Sequence, residues 1–431
     1  MKNHFFSHLF IIHVFVSTLF IGLTSCQDIN QEDLISLDHS NLHSISYQES
    51  QVIDGQYIVV YQEERLNFRV DPNDYQGSHE LLRKETNEFL SRYGIVEDSI
   101  SQLYSMGFQG FAMKLSEDEK NEMLSDPKVK VIIPDKKRFL NIQQGNRPVK
   151  ESPSIEIENT QIVPWGVKRV GGPFEYKGTR KVWVIDTGID LNHPDLNVDH
   201  RHGFDAYNDR RNWDFNDEHG HGTHVAGTIG ALDNHFGVVG VAAGVPVVPI
   251  KVFFGPRAEA TDSGILAGVE YVGRMARPGD VANLSFGWDD STEPFPLLEE
   301  AVLRISERRK IWMVIASGNS RLPGNTFTPA RVNGEYTITV SATDASDRLA
   351  WFSHFGHPIK FGAPGVNVFS TWRGGTYRNS SGTSMSAPHV AGLRVFGSIE
   401  SDGYVKNYPI DYLDPVAFRS KGFEGMGHIK P

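Results

Sequence analysis

The chain holds a single cysteine, Cys26, among 431 residues, so no internal disulfide can staple it. An excess of basic residues is missing too. Lys and Arg number 42 against 53 Asp and Glu, a formal net charge of -11; this argues against a nucleic-acid partner and is accounted for by solubility. His219, His221 and His224 stand close together, but no His-Glu-x-x-His spacing and no nearby cysteine accompany them, so they do not read as a metal cluster. With 39% hydrophobic residues, a chain of this length can bury a large core and is expected to hold two folded units.

What is present starts with an export signal. Met1-Lys2-Asn3 supplies one positive charge and Phe5 to Leu23 is mostly apolar, the pattern of a secretory signal over residues 1–25. Leu23-Thr24-Ser25-Cys26 resembles the lipobox of bacterial lipoproteins, in which cleavage precedes the cysteine and lipid is attached to it. That resemblance implies lipidation of Cys26 and anchoring to a membrane of the bacterial cell envelope, where several acyl chains are needed for firm binding. The acidic run Gln27 to Asp33 opens a tether assigned to residues 26–55.

Three blocks carry the chemistry: Val184-Ile185-Asp186-Thr187-Gly188, His221-Gly222-Thr223-His224-Val225-Ala226-Gly227 and Gly382-Thr383-Ser384-Met385-Ser386-Ala387-Pro388. A serine hydroxyl is a weak nucleophile at neutral pH. An imidazole must take its proton during attack and return it to the leaving amine, while a carboxylate fixes the imidazole tautomer. The order Asp, His, Ser and the neighbouring residues resemble the subtilisin family of serine peptidases. The resemblance makes Ser384 the nucleophile, His221 the general base and acid, and Asp186 the orienting carboxylate. In Val314-Ile315-Ala316-Ser317-Gly318-Asn319 an apolar run ends in Gly-Asn, and the resemblance makes Asn319 the donor to the oxyanion, with the Ser384 N–H. It also implies that Ser285, Phe286 and Gly287 pair with an extended peptide and, with Ala316, Ser317 and Gly318, wall the primary specificity pocket. These walls carry no carboxylate, so an uncharged residue is expected before the cut bond, and Phe327 near the floor would make the pocket shallow.

Calcium is a further implication of the resemblance. Gln161, Asp195 and Asn234, with the carbonyls of Leu232, Phe236 and Val238, occupy the places of a mostly oxygen shell that suits this cation.

Residues 56–140 read as a small α+β domain of ferredoxin-like type, with strands at Tyr57–Tyr61, Gly110–Leu115 and Val129–Ile133, a helix within Ser78–Tyr93, and a capping box of Ser116 and Glu119 opening another. Its position is similar to that of the subtilisin inhibitory propeptide. Residues 141–159 form a polar linker suited to self-cleavage. From residue 160 to 431 apolar runs alternate with amphipathic helices, which indicates an α/β, doubly wound, mostly parallel sheet. The tail from Asp402 reads as loops. The expected molecule is a monomeric serine endopeptidase, inhibited by its own propeptide, acting on protein or peptide outside the cytoplasm and released from its anchor if propeptide cleavage frees it. The competing reading is a silent peptide-binding surface protein on the same fold.

Overall fold

The computed structural model describes residues 50–71, 74–96, 99–140, 160–208, 213–289, 294–409 and 413–420. The signal segment, Cys26, most of the tether, the linker 141–159 and the last residues of the tail lie outside the described residues.

The small domain is built on strands Gln51–Tyr61, Ile100–Tyr104, Gly110–Lys114 and Val129–Phe139, with helices Tyr75–Ser91 and Glu117–Leu124. Its strands pair antiparallel in the spatial order fourth, first, third, second, the ferredoxin-like arrangement. The first strand starts inside the segment assigned to the tether, and Ile100–Tyr104 is a strand that sequence reasoning did not register. The capping box forms as expected: Ser116 Oγ accepts the Glu119 N–H at 3.2 Å, and Glu119 accepts the Ser116 N–H at 2.7 Å. Alternation along the first strand decides how this domain sits, since successive side chains face opposite sides. Tyr57, Val59 and Tyr61 pack with Leu82, Phe89 and Phe111 into the domain's own core. Ile58 and Val60 turn the other way and join the core of the larger domain.

That larger domain is organised by a nine-stranded sheet. Its central strands run Thr337–Thr343, Trp312–Ala316, Val281–Leu284, Val182–Asp186 and Val247–Lys251, all mutually parallel. Both faces are covered, so the strands are nearly continuous in apolar residues. Trp183 and Ile185 face a core that includes Ile265 and Leu266 of helix Asp262–Met275 and Val302 and Ile305 of helix Pro296–Arg309. Val182 and Val184 face the helices His221–Gly230 and Thr383–Arg394. Winding reverses about Val182–Asp186, which has a later strand on each side. Clefts at the carboxyl ends of strands beside such a reversal are where doubly wound sheets place their sites.

The tail departs from its loop reading. Ile399–Tyr404 and Pro415–Arg419 pair antiparallel, and Val416 lies parallel to Gly362 at the edge of the main sheet. Val416 packs with Leu349 and Val405, while buried Asp414 accepts the Ser341 hydroxyl at 2.8 Å. Pairing with an existing edge outweighs the poor local strand composition.

Candidate active site

Asp186 is the last residue of its strand and fully buried. His221 opens its helix after Gly220, whose φ of 113° and whose absent side chain both matter: a Cβ there would lie 2.3 Å from the Trp372 ring. The two side chains meet, His221 Nδ1 lying 2.8 Å from Asp186 Oδ1 and 3.0 Å from Oδ2. Facing a carboxylate, Nδ1 carries the proton and Nε2 is left to accept one. Asp186 Oδ1 also accepts the Thr187 N–H at 2.8 Å.

A second buried carboxylate supports this pair. Asp217 accepts the N–H of Gly220 at 2.8 Å and of Thr223 at 3.0 Å, pinning the first turn of the His221 helix, and it accepts the Thr187 hydroxyl at 2.8 Å. Burial depresses the His221 imidazole, but the charge and hydrogen bond of Asp186 and the charge of Asp217 outweigh it, so its pKa stands above the ordinary value. The neighbouring histidines behave differently. Burial lowers His219 to about 4 and His224 to about 3, and His224 Nε2 lies 3.0 Å from the Val368 carbonyl. Both stay neutral at pH 7.

Ser384 is the second residue of its helix, which packs against the His221 helix. Pro388 stands four residues on and has no N–H to give the Ser384 carbonyl. The Ser285 hydroxyl takes its place, donating to that carbonyl at 2.9 Å, and so ties the helix to the wall segment Ser285–Gly287. The Ser384 hydroxyl donates to the Ser285 carbonyl at 2.9 Å rather than to His221. Rotation about the single Cα–Cβ bond redirects it, and such contacts commonly tighten only with substrate in place.

Asn319 lies past the end of strand Trp312–Ala316. Its Oδ1 accepts both the N–H and the hydroxyl of Thr383, at 2.8 and 3.0 Å. A backbone N–H is an unambiguous donor, so the amide orientation is fixed with Nδ2 outward, available to an oxyanion.

The two wall segments are backed by rings. A Cβ on Gly287 would lie 2.3 Å from Phe327, and one on Gly318 would lie 2.6 Å from His354. Phe327 and His354 meet edge to face at 5.0 Å. His354 escaped sequence reasoning; it is almost fully buried, burial lowers it to about 4, and the Ser317 carbonyl approaches its ring without completing a hydrogen bond.

The residues expected to hold calcium are brought together. Strand Gln161–Ile162 pairs with Gly237–Val238, placing the Gln161 amide 2.8 Å from the Leu232 carbonyl and 3.4 Å from that of Val238. Asn234 Nδ2 lies 3.0 Å from Asp195 Oδ1, and the Phe236 N–H lies 3.3 Å from Asn234 Oδ1. Asp195 is fully buried, and burial pushes its carboxyl up to about 7. Turning the Gln161 amide over would present its oxygen beside the Leu232 and Val238 carbonyls, whereas the Phe236 N–H keeps Asn234 Oδ1 as its acceptor. Among the described residues no group of three His, Cys, Asp or Glu converges on a point. A cation here would rest on one carboxylate with amide and carbonyl oxygens, a donor set that suits calcium better than zinc.

Comparison with known proteins identifies the family. The family model described as Subtilase family matches residues 178–396, and that described as Peptidase inhibitor I9 matches residues 56–141. The chain belongs to the subtilase family, preceded by an inhibitor I9 domain. Among individual relatives, Subtilisin Savinase of Lederbergia lenta is 43% identical over 54% of this chain and 82% of its own. Subtilisin E of Bacillus subtilis (strain 168) is 34% identical over 69% of this chain and 80% of its own. M-protease of Shouchella clausii (strain KSM-K16) is 42% identical over 54% of this chain, but the match spans only 59% of M-protease. A crystal structure of a cold adapted subtilisin-like serine proteinase aligns with a TM-score of 0.47 and 32% identity, over 56% of this chain and 85% of that one.

Proposed function

We propose that this chain is a serine endopeptidase made as a self-cleaving zymogen. The observation that carries the proposal is the buried Asp186–His221 pair, at 2.8 Å, set at a strand end beside the helix that carries Ser384 in its first turn. In the first half-reaction His221 Nε2 takes the Ser384 proton as Oγ bonds to the substrate carbonyl carbon. Asp186 stabilises the imidazolium, and Asn319 Nδ2 with the Ser384 N–H receives the oxyanion. The imidazolium then protonates the leaving amine, and water repeats the sequence on the acyl-enzyme. Phe327 and His354 favour a small uncharged residue before the cut bond.

Gln161, Asp195, Asn234 and the carbonyls of Leu232, Phe236 and Val238 would hold calcium, which would supply a positive charge to a buried carboxylate and tie the segment that follows the linker to the loop at 232–238. Cys26 would carry lipid and keep the enzyme at the cell envelope. In that case Cys26→Ser abolishes incorporation of labelled fatty acid, and unchanged labelling removes the anchor.

The test of the central reading is the intact mass of the chain expressed without its signal segment, for wild type and Ser384→Ala. Loss of mass by a cut between about Asn141 and Thr160 in wild type alone is expected. A chain that stays whole, and that leaves a peptide library uncut, would be a silent binding module instead.

A further inference from the structure

The end of the small domain forms a second recognition contact. In sequence, Asp135-Lys136-Lys137-Arg138 is a charge run of the kind that is usually solvated. In the fold Arg138 is 1% exposed. Lys137, Arg138 and Phe139 pair antiparallel with Thr261, Ala260 and Glu259, and the Leu140 N–H donates to the Ala258 carbonyl at 3.0 Å. On the other side Trp288 Nε1 donates to the Phe139 carbonyl at 3.1 Å. The extended chain thus runs between segment 258–261 and the residue that follows the Ser285–Gly287 wall. The first of these segments leads back to Val252 and Phe253, whose N–H groups bind the Asp186 carbonyl at 2.9 and 3.2 Å. This is strand addition to an open cleft, in which main-chain bonds hold any sequence and side-chain pockets select among them.

Arg138 has such a pocket. Its guanidinium bonds both carboxylate oxygens of Asp262, with Nη2 3.2 Å from Oδ2 and Nε on Oδ1. The same group lies 4.7 Å from the ring centre of Trp288 and 4.7 Å from that of Phe295. A planar fork on a carboxylate, flanked by aromatic rings, suits arginine and not lysine. All three pocket residues belong to the larger domain. If the small domain leaves, Asp262 loses the guanidinium that it pairs with here.

We propose that Asp262, Trp288 and Phe295 form an arginine-selective subsite of the substrate cleft. Arg138 fills it in the zymogen, and an arginine of an extended protein substrate, at one fixed position on the amino side of the cut bond, fills it in the freed enzyme. The proposal deepens the peptidase reading and rests on it.

The test uses the full chain against extended fluorogenic peptides in which arginine, citrulline, lysine or leucine is placed at each position in turn. Citrulline keeps the shape of arginine without its charge. At one position arginine should exceed citrulline in kcat/KM by about thirtyfold or more, with lysine far below arginine, and Asp262→Asn should bring the arginine to citrulline ratio close to one. The wild-type ratio needs no variant, so poor folding of Asp262→Asn does not disable the test; Trp288→Leu, which keeps the carboxylate, should lower the ratio several-fold. Cleavage without an arginine preference at any position, or with one that survives Asp262→Asn, overturns the subsite and leaves the peptidase reading intact. Failure to cut any peptide removes the peptidase reading and the subsite with it.

Discussion

Asn319 Oδ1 accepts the Thr383 N–H at 2.8 Å, so the residue preceding Ser384 sets which end of the Asn319 amide faces outward. Replacing Asn319 with Ala removes a donor that acts mainly in the transition state. We expect kcat to fall by about a hundred- to a thousandfold with KM little changed, measured by steady-state hydrolysis of a peptide. A rise confined to KM would mean that Asn319 binds substrate and does not stabilise the oxyanion.

The pH dependence follows from His221. Its pKa is raised, through Asp186 and Asp217 acting against burial, and the base must be neutral to take a proton. Activity is therefore lost below that pKa and gained as pH rises through it. The acid limb of kcat/KM should lie above pH ~6.5, the ordinary histidine value. Asp186→Asn should lower kcat by about 10⁴ and move the limb to lower pH; an unmoved limb would assign it to another group.

Phe327 lies against Gly287 of the proposed pocket wall and is itself packed against His354. Phe327→Ala should raise kcat/KM for Leu or Phe before the cut bond, relative to Ala, by about tenfold or more. Removal of a buried ring costs about 3–5 kcal/mol, so thermal unfolding is measured alongside. An unchanged profile in a folded variant would place the pocket elsewhere.

Chelation should lower the melting temperature of the full chain, and Asp195→Asn should lower it in buffer and abolish the effect of chelator, since ligand binding to the native state alone adds stability. Equal melting temperatures with and without chelator, and no metal by elemental analysis, would remove calcium from the account.

Much of this site is local in sequence, and that is why it could be read there. Asp186, His221, Asn319 and Ser384 each sit at a strand end or helix start marked by its own neighbours, and Ser116 with Glu119 forms its capping box within four residues. Helix Pro296–Arg309 opens on a proline at its first position, where proline is favoured. Other features depend on distant partners. Ile100–Tyr104 is half exposed and carries little apolar contrast. Ile399–Tyr404 is almost entirely exposed and is a strand only because Pro415–Arg419 lies beside it. Arg138 reads as a surface charge because its carboxylate, Asp262, lies 124 residues away. Asp217 had a local sign, an acid four residues before His221 at the start of a helix, where a capping carboxylate is common.

Ile58 and Val60 of the small domain lie in the core of the larger one, and Glu270 of the larger domain accepts the N–H groups of Ser105, Met106 and Gly107 at 2.6, 2.7 and 3.1 Å. While the linker is whole, both contacts are made within one molecule, at an effective concentration on the order of millimolar. On the self-cleaving reading, a cut would leave every one of them in place and change only that concentration. Inhibition would then lapse as the fragments dilute, and the volume into which the protein is delivered would act as the timer of its activation.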